Sequence, residues 1–417
     1  MKGRGKELVE MNNRRVLIVE ENAAIPCDTR VWYESTTLRD AGWQVTVICP
    51  STAIGAYAGK GVSRANVAPE DLEGITVYRF PLTVAERGVL DYLREYLSAF
   101  AWLARLSWRV WRAGPFDIIH FCNPPDIFFP IGWLYRLLGA AVVFDHHDLF
   151  PEVLAWRYRG LTSKALYALA RLTELLTLRS ANAVISTNES YRRIAMERGG
   201  VPADRVIVVR NGPRTQEFVP TELSPALKRG FPYMVCYAGV MGPEDGVFEL
   251  LQSVRHIVHD LGRRDILFTL LGDGSVRRQA LDQVQTWGLE SVVDMPGMVR
   301  DKLLLRQYLC TADVCVSPEP LTPFNARSTF VKVGEYLAMG KPVVAYDLQE
   351  TRYTAQEAAI YVAPGNVEEF GRVTVALLGD PERRRCMGEC GRRRFLDGLS
   401  WDHQKQNLFQ AYDIALA

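Results

Sequence analysis

Short aliphatic runs recur along the chain, and longer stretches with amphipathic spacing lie between them. Residues 16–20, 44–49, 75–80, 117–121, 141–145, 183–186 and 206–209 form a first set of runs. Residues 233–239, 266–272, 292–296, 314–317, 342–346 and 359–362 form a second. Runs that are apolar at nearly every position predict strands buried on both faces. Their alternation with helical stretches predicts βαβ units and doubly wound parallel sheets. The seam falls at 211–232, where Gly212-Pro213, Pro220, Pro225 and Gly230-Phe231-Pro232 interrupt both periodicities. The expected organisation is a flexible lead-in (1–13), a Rossmann-like domain (14–212), a second one (213–398) and a terminal helix (399–417). Ligands of such folds bind at the C-terminal ends of the strands, so the expected site is a cleft that the two domains face.

The stretch 327–345 carries the most specific chemistry. Ser328 suits a helix N-cap, Gly340 and Pro342 end the helix, and Val343-Val344-Ala345 opens a strand. Ser328, Lys332 and Glu335 then share one helix face. Free N–H groups at a helix start, beside the cations of Arg327 and Lys332, make a seat for a diphosphate. The plainer reading is a surface helix carrying a Lys332–Glu335 ion pair.

Composition narrows the function class. The chain has 417 residues, 48% hydrophobic and 23% charged, as a globular protein of two or three domains would. Its 49 basic and 48 acidic residues leave a net charge of +1, which gives no argument for a nucleic-acid partner. The eight cysteines form no CxxC pair and several lie in apolar runs, so they read as buried thiols of a reducing cytosol, with no zinc site. The N-terminus lacks an apolar signal region, and the longest apolar stretch, 127–144, is broken by Pro130, Arg136 and Gly139.

Two further features stand out. The helix expected over 90–113 places Arg105, Arg109 and Arg112 on one stripe flanked by Trp102 and Trp108. That pattern suits either an anionic membrane surface or a core helix whose arginines lie over packed aromatics. His146 and His147 follow a buried strand, with Asp145, Asp148 and Glu152 nearby. Such a cluster suits metal binding, proton transfer or simple helix capping.

Several segments together resemble the family 4 retaining glycosyltransferases of the GT-B fold, in a branch that builds bacterial cell-surface polysaccharides. They are Asp28-Thr-Arg-Val31, residues 42–50, Phe116-Asp-Ile-Ile-His120, Phe144-Asp-His-His-Asp-Leu-Phe-Pro-Glu152, Asn211-Gly212, Leu271-Gly-Asp-Gly274, residues 312–318 and Glu335-Tyr-Leu-Ala-Met-Gly340. The resemblance implies a metal-independent, retaining hexosyltransferase without a cofactor. Its donor would be a UDP- or GDP-linked sugar, and its acceptor a glycan or polyprenyl-linked lipid in polysaccharide or lipopolysaccharide assembly. It implies that Gly239, Gly242, Gly272 and Gly274 let backbone approach the nucleotide. Arg327, Ser328, Thr329 and Lys332 would hold the diphosphate, and Glu335 the ribose or sugar. His147 and Asp148 would face the transfer site. Arg30 and Glu152, with Trp102, Arg105, Trp108 and Arg109, would lie on the acceptor or membrane side of a cytoplasmic enzyme, at the inner face of the plasma membrane. The terminal helix would cross back to the N-terminal domain.

The chain departs from the family pattern in three places. Arg327 stands where a glutamate usually precedes Glu335 by eight residues, and Glu319 could replace that glutamate only if its loop folds back. The segment 239–246 lacks the usual Arg and Lys, leaving Arg327 and Lys332 to supply the charge. Asn22-Ala-Ala-Ile-Pro26 replaces a glycine-rich loop. The competing readings are a nucleotide-sugar epimerase of the same fold and a non-catalytic, membrane-associated assembly subunit.

Overall fold

The computed structural model describes residues 14–51, 68–81, 89–157 and 161–417. The expected flexible lead-in lies outside them. The chain forms two compact units, Met1–Arg210 with Lys405–Ala417, and Asn211–Gln404.

Unit 1 contains strands β1 (Arg15–Val19), β2 (Gln44–Pro50), β3 (Glu70–Leu72), β4 (Ile75–Phe80), β5 (Ile118–Cys122), β6 (Ala141–His146), β7 (Ala183–Ser186) and β8 (Val206–Val208). Its helices are α1 (Thr29–Asp40), α2 (Val89–Ala113), α3 (Phe129–Leu137), α4 (Phe150–Arg157), α5 (Leu161–Ser180) and α6 (Glu189–Gly199). The strand order is β3-β4-β2-β1-β5-β6-β7-β8, parallel except for the β3–β4 hairpin. The expected strand runs are present. β3 was not foreseen, because Glu70-Asp71-Leu72 is three residues long and mostly polar. Side chains of β1, β5 and β6 are almost wholly buried, since helices cover both faces of a parallel sheet. One face packs Leu103 and Leu106 of α2, Ile131 and Tyr135 of α3 and Leu178 of α5 against Ile119, Phe121, Val142 and Phe144.

Unit 2 contains β9 (Tyr233–Ala238), β10 (Ile266–Leu271), β11 (Val293–Gly297), β12 (Val314–Ser317), β13 (Val343–Tyr346) and β14 (Ala359–Val362). They form an all-parallel sheet in the order β11-β10-β9-β12-β13-β14. Helices α7 (Val247–Arg255), α8 (Arg277–Thr286), α9 (Lys302–Thr311), α10 (Val331–Ala338), α11 (Gln349–Ala355), α12 (Val367–Leu378) and α13 (Pro381–Arg394) connect and cover it. In both sheets the strand order reverses beside the first strand, which is where doubly wound folds bind ligands.

The last helix, α14 (Trp401–Leu416), begins in unit 2, and its residues from Lys405 onward belong to unit 1. Tyr412 packs edge-on to Trp43, and its hydroxyl lies 2.8 Å from His120 Nδ1. The Asn407 amide donates to the carbonyl of Val208.

The expectation of buried thiols holds for Cys49, Cys122, Cys236, Cys310 and Cys315. It fails for Cys386, which is exposed on charge-rich α13, and Cys27 and Cys390 are only half-buried.

Candidate active site

Unit 2 builds its site at the C-terminal ends of β9 and β12. The helix expected from Ser328 starts three residues later, at Val331. Ser328 instead closes a one-turn 3-10 segment, Asn325–Arg327, in an extended conformation, and its hydroxyl donates to the carbonyl of Phe324 at 3.0 Å. Asn325 causes the delay. It is fully buried, and its amide donates to the carbonyls of Glu244 (2.8 Å) and Pro320 (2.9 Å), pinning the loop before the helix. Arg327 is spent partly on Pro323, whose carbonyl accepts from it at 3.0 Å, and Thr329 is half-buried beside it.

Lys332 sits in the first turn of α10, 8% exposed. Its Nζ lies 2.6 Å from Glu319 Oε1, 3.0 Å from the Tyr237 hydroxyl and 3.8 Å from Asp245 Oδ1. The ion pair of Lys332 is therefore with Glu319, not with Glu335 as in the plainer surface-helix reading. The long 319–325 loop does fold back, and it buries Glu319 to 1% exposure, with its second oxygen accepting from the Ser317 hydroxyl. Burial opposes the Lys332 charge, but Glu319, Tyr237 and Asp245 outweigh it and hold the ammonium well above its usual range. Asp245 is pushed up to about 6 by burial, opposed by Lys332. Glu335, one turn further along α10, is half-buried and pushed up to about 7 by burial, again opposed by Lys332.

The glycines also serve the packing of the chain itself. A Cβ on Gly239 would stand 2.7 Å from Lys332 Cε and 2.9 Å from its Nζ. One on Gly272, whose φ is +140°, would stand 1.8 Å from the carbonyl oxygen of Gly239. The space that a Cβ would take at Gly242 and Gly274 is likewise filled by this chain's own atoms. These positions let the loops after β9 and β10 close on each other and on Lys332. Gly272→Ala is expected to destabilise the protein by about 3 kcal/mol through backbone strain and steric clash, read by urea unfolding. An unchanged midpoint would show that the two loops part freely.

Unit 1 gathers polar groups where β1, β5 and β6 end. Asn123, fully buried, is central and was not anticipated. Its side-chain oxygen accepts from the backbone N–H groups of His147 (2.8 Å) and Asp148 (3.0 Å), and its amide donates to Asp126 Oδ1 and the carbonyl of Asp148. It fixes the turn that presents His147 and Asp148. The run Asn123-Pro-Pro-Asp126 directly after a strand was the available signal. His147 Nδ1 lies 3.3 Å from Asp145 Oδ2. Burial works against the imidazolium, but Asp145, with Asp148 and Glu20, raises His147 to about 10. Asp148 is pushed up to about 6 by burial, partly offset by His147. At neutral pH His147 is thus a hydrogen-bond donor, and Asp148 is mostly the carboxylate. Glu20, at the end of β1 and pushed up to about 8 by burial, accepts from the N–H groups of Asn22 and Ala23.

Arg30 and Glu152 do not lie on an open acceptor side. Arg30 is 7% exposed and forks onto Asp145 at 2.6 and 2.7 Å, with Glu34 at 3.3 Å and the carbonyl of Val209 at 3.0 Å. Glu152 is 5% exposed and paired with Arg198. Both balance buried charge. His146 is fully buried, 3.7 Å from Glu174. Glu34, His120, Cys122 and Asp145 bring possible metal ligands within 4.8 Å of one another. The Arg30 guanidinium hydrogen-bonds Asp145 and forms an ion pair with Glu34, so the cation of this cluster is an arginine. On α2, Trp102 packs half-buried on the core beneath Arg105 (5.8 Å), Arg109 lies over Tyr78 (5.6 Å), and Trp108 is 45% exposed.

Residues 28–212 match the Glycosyl transferase 4-like domain family, and residues 232–380 match Glycosyl transferases group 1. The chain belongs to the family 4, group 1 glycosyltransferases. Its fold is GT-B, with two parallel Rossmann-like sheets, and its activity class is transfer of a sugar from a nucleotide donor. Sucrose-phosphate synthase from Thermosynechococcus elongatus superposes with a TM-score of 0.75 at 19% identity, over 96% of this chain and 98% of that one. Anabaena HepE, solved with UDP-glucose, gives 0.68 at 14% identity, over 96% and 99%. The MMP alpha-(1->4)-mannosyltransferase of Mycolicibacterium hassiacum is 26% identical over 174 residues, 40% of this chain and 41% of that protein.

Proposed function

We propose that this glycosyltransferase moves a hexose, with retention, from a UDP-linked donor to a hydroxyl of a glycan or polyprenyl-linked acceptor in surface-polysaccharide assembly. The buried Lys332 ammonium carries the reading. It is held at the strand ends of unit 2 by Tyr237 and Glu319, one turn from the half-buried Glu335. Departure of a nucleoside diphosphate develops negative charge, and a desolvated ammonium at that point stabilises it without a metal ion. The diphosphate would exchange for Glu319 as partner of the ammonium, and Asp245 can take up a proton as the local anionic charge rises. Arg327 adds a second cation, and Glu335 accepts from donor hydroxyls. UDP is favoured because HepE, of the same fold, holds UDP-glucose.

In unit 1, His147 as an imidazolium donates to a sugar oxygen, and Asp148 orients the attacking hydroxyl. The neighbouring carboxylates Asp28 and Asp148 favour a hydroxyl over a phosphate at this point. A thermal-shift series with UDP, GDP, ADP and UDP-glucose tests the donor reading, because a ligand that binds only the native state raises its melting point. UDP and UDP-glucose are expected to stabilise the protein most. Glu335→Gln should keep the UDP shift from the diphosphate but lose about 1–3 kcal/mol of affinity for the sugar-linked donor. Turnover of UDP-glucose to another UDP-sugar without acceptor would replace the transferase with an epimerase.

A further inference from the structure

We propose that the outer face of helices α2 to α5 in unit 1 is a docking surface for an anionic lipid bilayer. Nine large apolar side chains of unit 1 are exposed among the described residues, and all of them lie on these helices or at the end of α3. Leu97 and Trp108 are on α2, Trp133 and Leu137 on α3, Trp156 on α4 and Leu169 on α5, with Leu137 exposed to 87%. None stands on α1, α14 or the strands. The four helices adjoin. Trp111 of α2 meets Tyr135 of α3 at 5.4 Å, Tyr96 of α2 meets Phe150 of α4 at 5.7 Å, and Gly132 of α3 lies against Ser180 of α5.

Charge on this face is of one sign. Arg94, Arg105, Arg109, Arg112, Arg136 and Lys164 are exposed. The carboxylates whose side chains are described on the same helices, Glu95, Glu152 and Glu174, are all buried. The contrast with α13 is direct: there exposed Arg385 pairs with exposed Glu382 and Glu389, as on an ordinary wetted surface. Here the cations are interleaved with tryptophan and leucine. Apolar side chains that enter the acyl boundary, with cations at headgroup level and no carboxylate to be repelled, match an anionic lipid surface. Arg105 over the Trp102 ring already shows the needed layering of cation above aromatic. No helix among the described residues is long and apolar enough to cross a membrane, so the contact is with the surface.

The test is flotation of the full chain with phosphatidylcholine vesicles and with vesicles containing about a third phosphatidylglycerol, without nucleotide or acceptor. It therefore reads the surface independently of the transferase assignment. The wild type should bind the anionic vesicles, and binding should weaken between about 0.1 and 0.5 M salt. Arg105→Glu/Arg109→Glu should bind at least about 25-fold more weakly, at about fivefold per lost cation. Leu137→Glu, at a fully outward position, should weaken binding with no change in melting temperature, which separates lost docking from lost folding. Absence of binding to anionic vesicles, or equal binding to neutral ones, would overturn the proposal. So would sedimentation as a dimer that Leu137→Glu dissociates, with no vesicle binding, because a second copy of the chain would then cover the face.

Discussion

Lys332→Ala is expected to abolish stabilisation by UDP and UDP-glucose and to lower kcat/KM by about 100- to 1,000-fold, the effect of removing one charge stabiliser from a desolvated site. It should also weaken the fold by about 3 to 5 kcal/mol, because Glu319 would be left buried without its counter-ion. The two losses have separate causes and can be separated. Glu319→Gln in the same chain removes the stranded charge, so the double variant should recover much of the stability and none of the nucleotide binding. Urea unfolding reads the first and nucleotide-dependent melting the second. If Lys332→Ala keeps the UDP shift, the diphosphate seat is elsewhere and the donor site proposed here is wrong. The balance between Lys332 and Glu319 also explains why the missing cations in residues 239–246 do not leave the loop after β9 uncharged. The ammonium reaches that loop from the helix, over Gly239, where a Cβ would stand 2.7 Å from Lys332 Cε.

The strand runs and the division into two α/β units were legible because burial on both faces of a parallel sheet leaves an unbroken apolar signature. β3 left no such trace, being a short polar edge. The start of α10 was misread for a physical reason. Ser328 is a good capping residue in isolation, but Asn325, in the loop after β12, contributes two hydrogen bonds that fix the loop first and postpone the helix. Lys332 and Glu335 could be singled out by spacing along one helix. Their environment could not, since Glu319, Tyr237 and Asp245 come from a different loop and strand. In unit 1 the cluster of Asp145, His147 and Asp148 was visible after a strand, whereas Asn123, which fixes its turn, looked like an ordinary strand-end residue. Sequence spacing reports neighbours on one element, and the site is made of contacts between elements.

Asp145→Asn is expected to have the second largest effect, and its pH dependence identifies the cause. Asp145 is fully buried, takes the two-pronged bond from Arg30 and faces His147. Burial raises its pKa, but Arg30 and His147 outweigh that and hold it well below the usual carboxylate range. Its stabilising contribution is therefore present above its ordinary value of 3.8 and is lost as the pH falls below it. His147 shifts the other way, from 6.5 to about 10. Its contribution is complete below pH 6.5 and fades as the pH rises through about 10. The wild type should thus exceed the variant most between these limits, near pH 5 to 6, by about 3 to 5 kcal/mol for a broken buried pair. The gap should shrink steadily toward pH 10, as wild-type His147 loses its proton. In the variant, His147 should titrate far lower, which NMR of the imidazole protons would follow directly, and transferase activity should fall near neutral pH as the imidazolium donor is lost. A stability gap that stays constant from pH 6 to pH 10 would mean that Asp145 acts on Arg30 alone, and His147 would then have to be read as a neutral imidazole at the acceptor side.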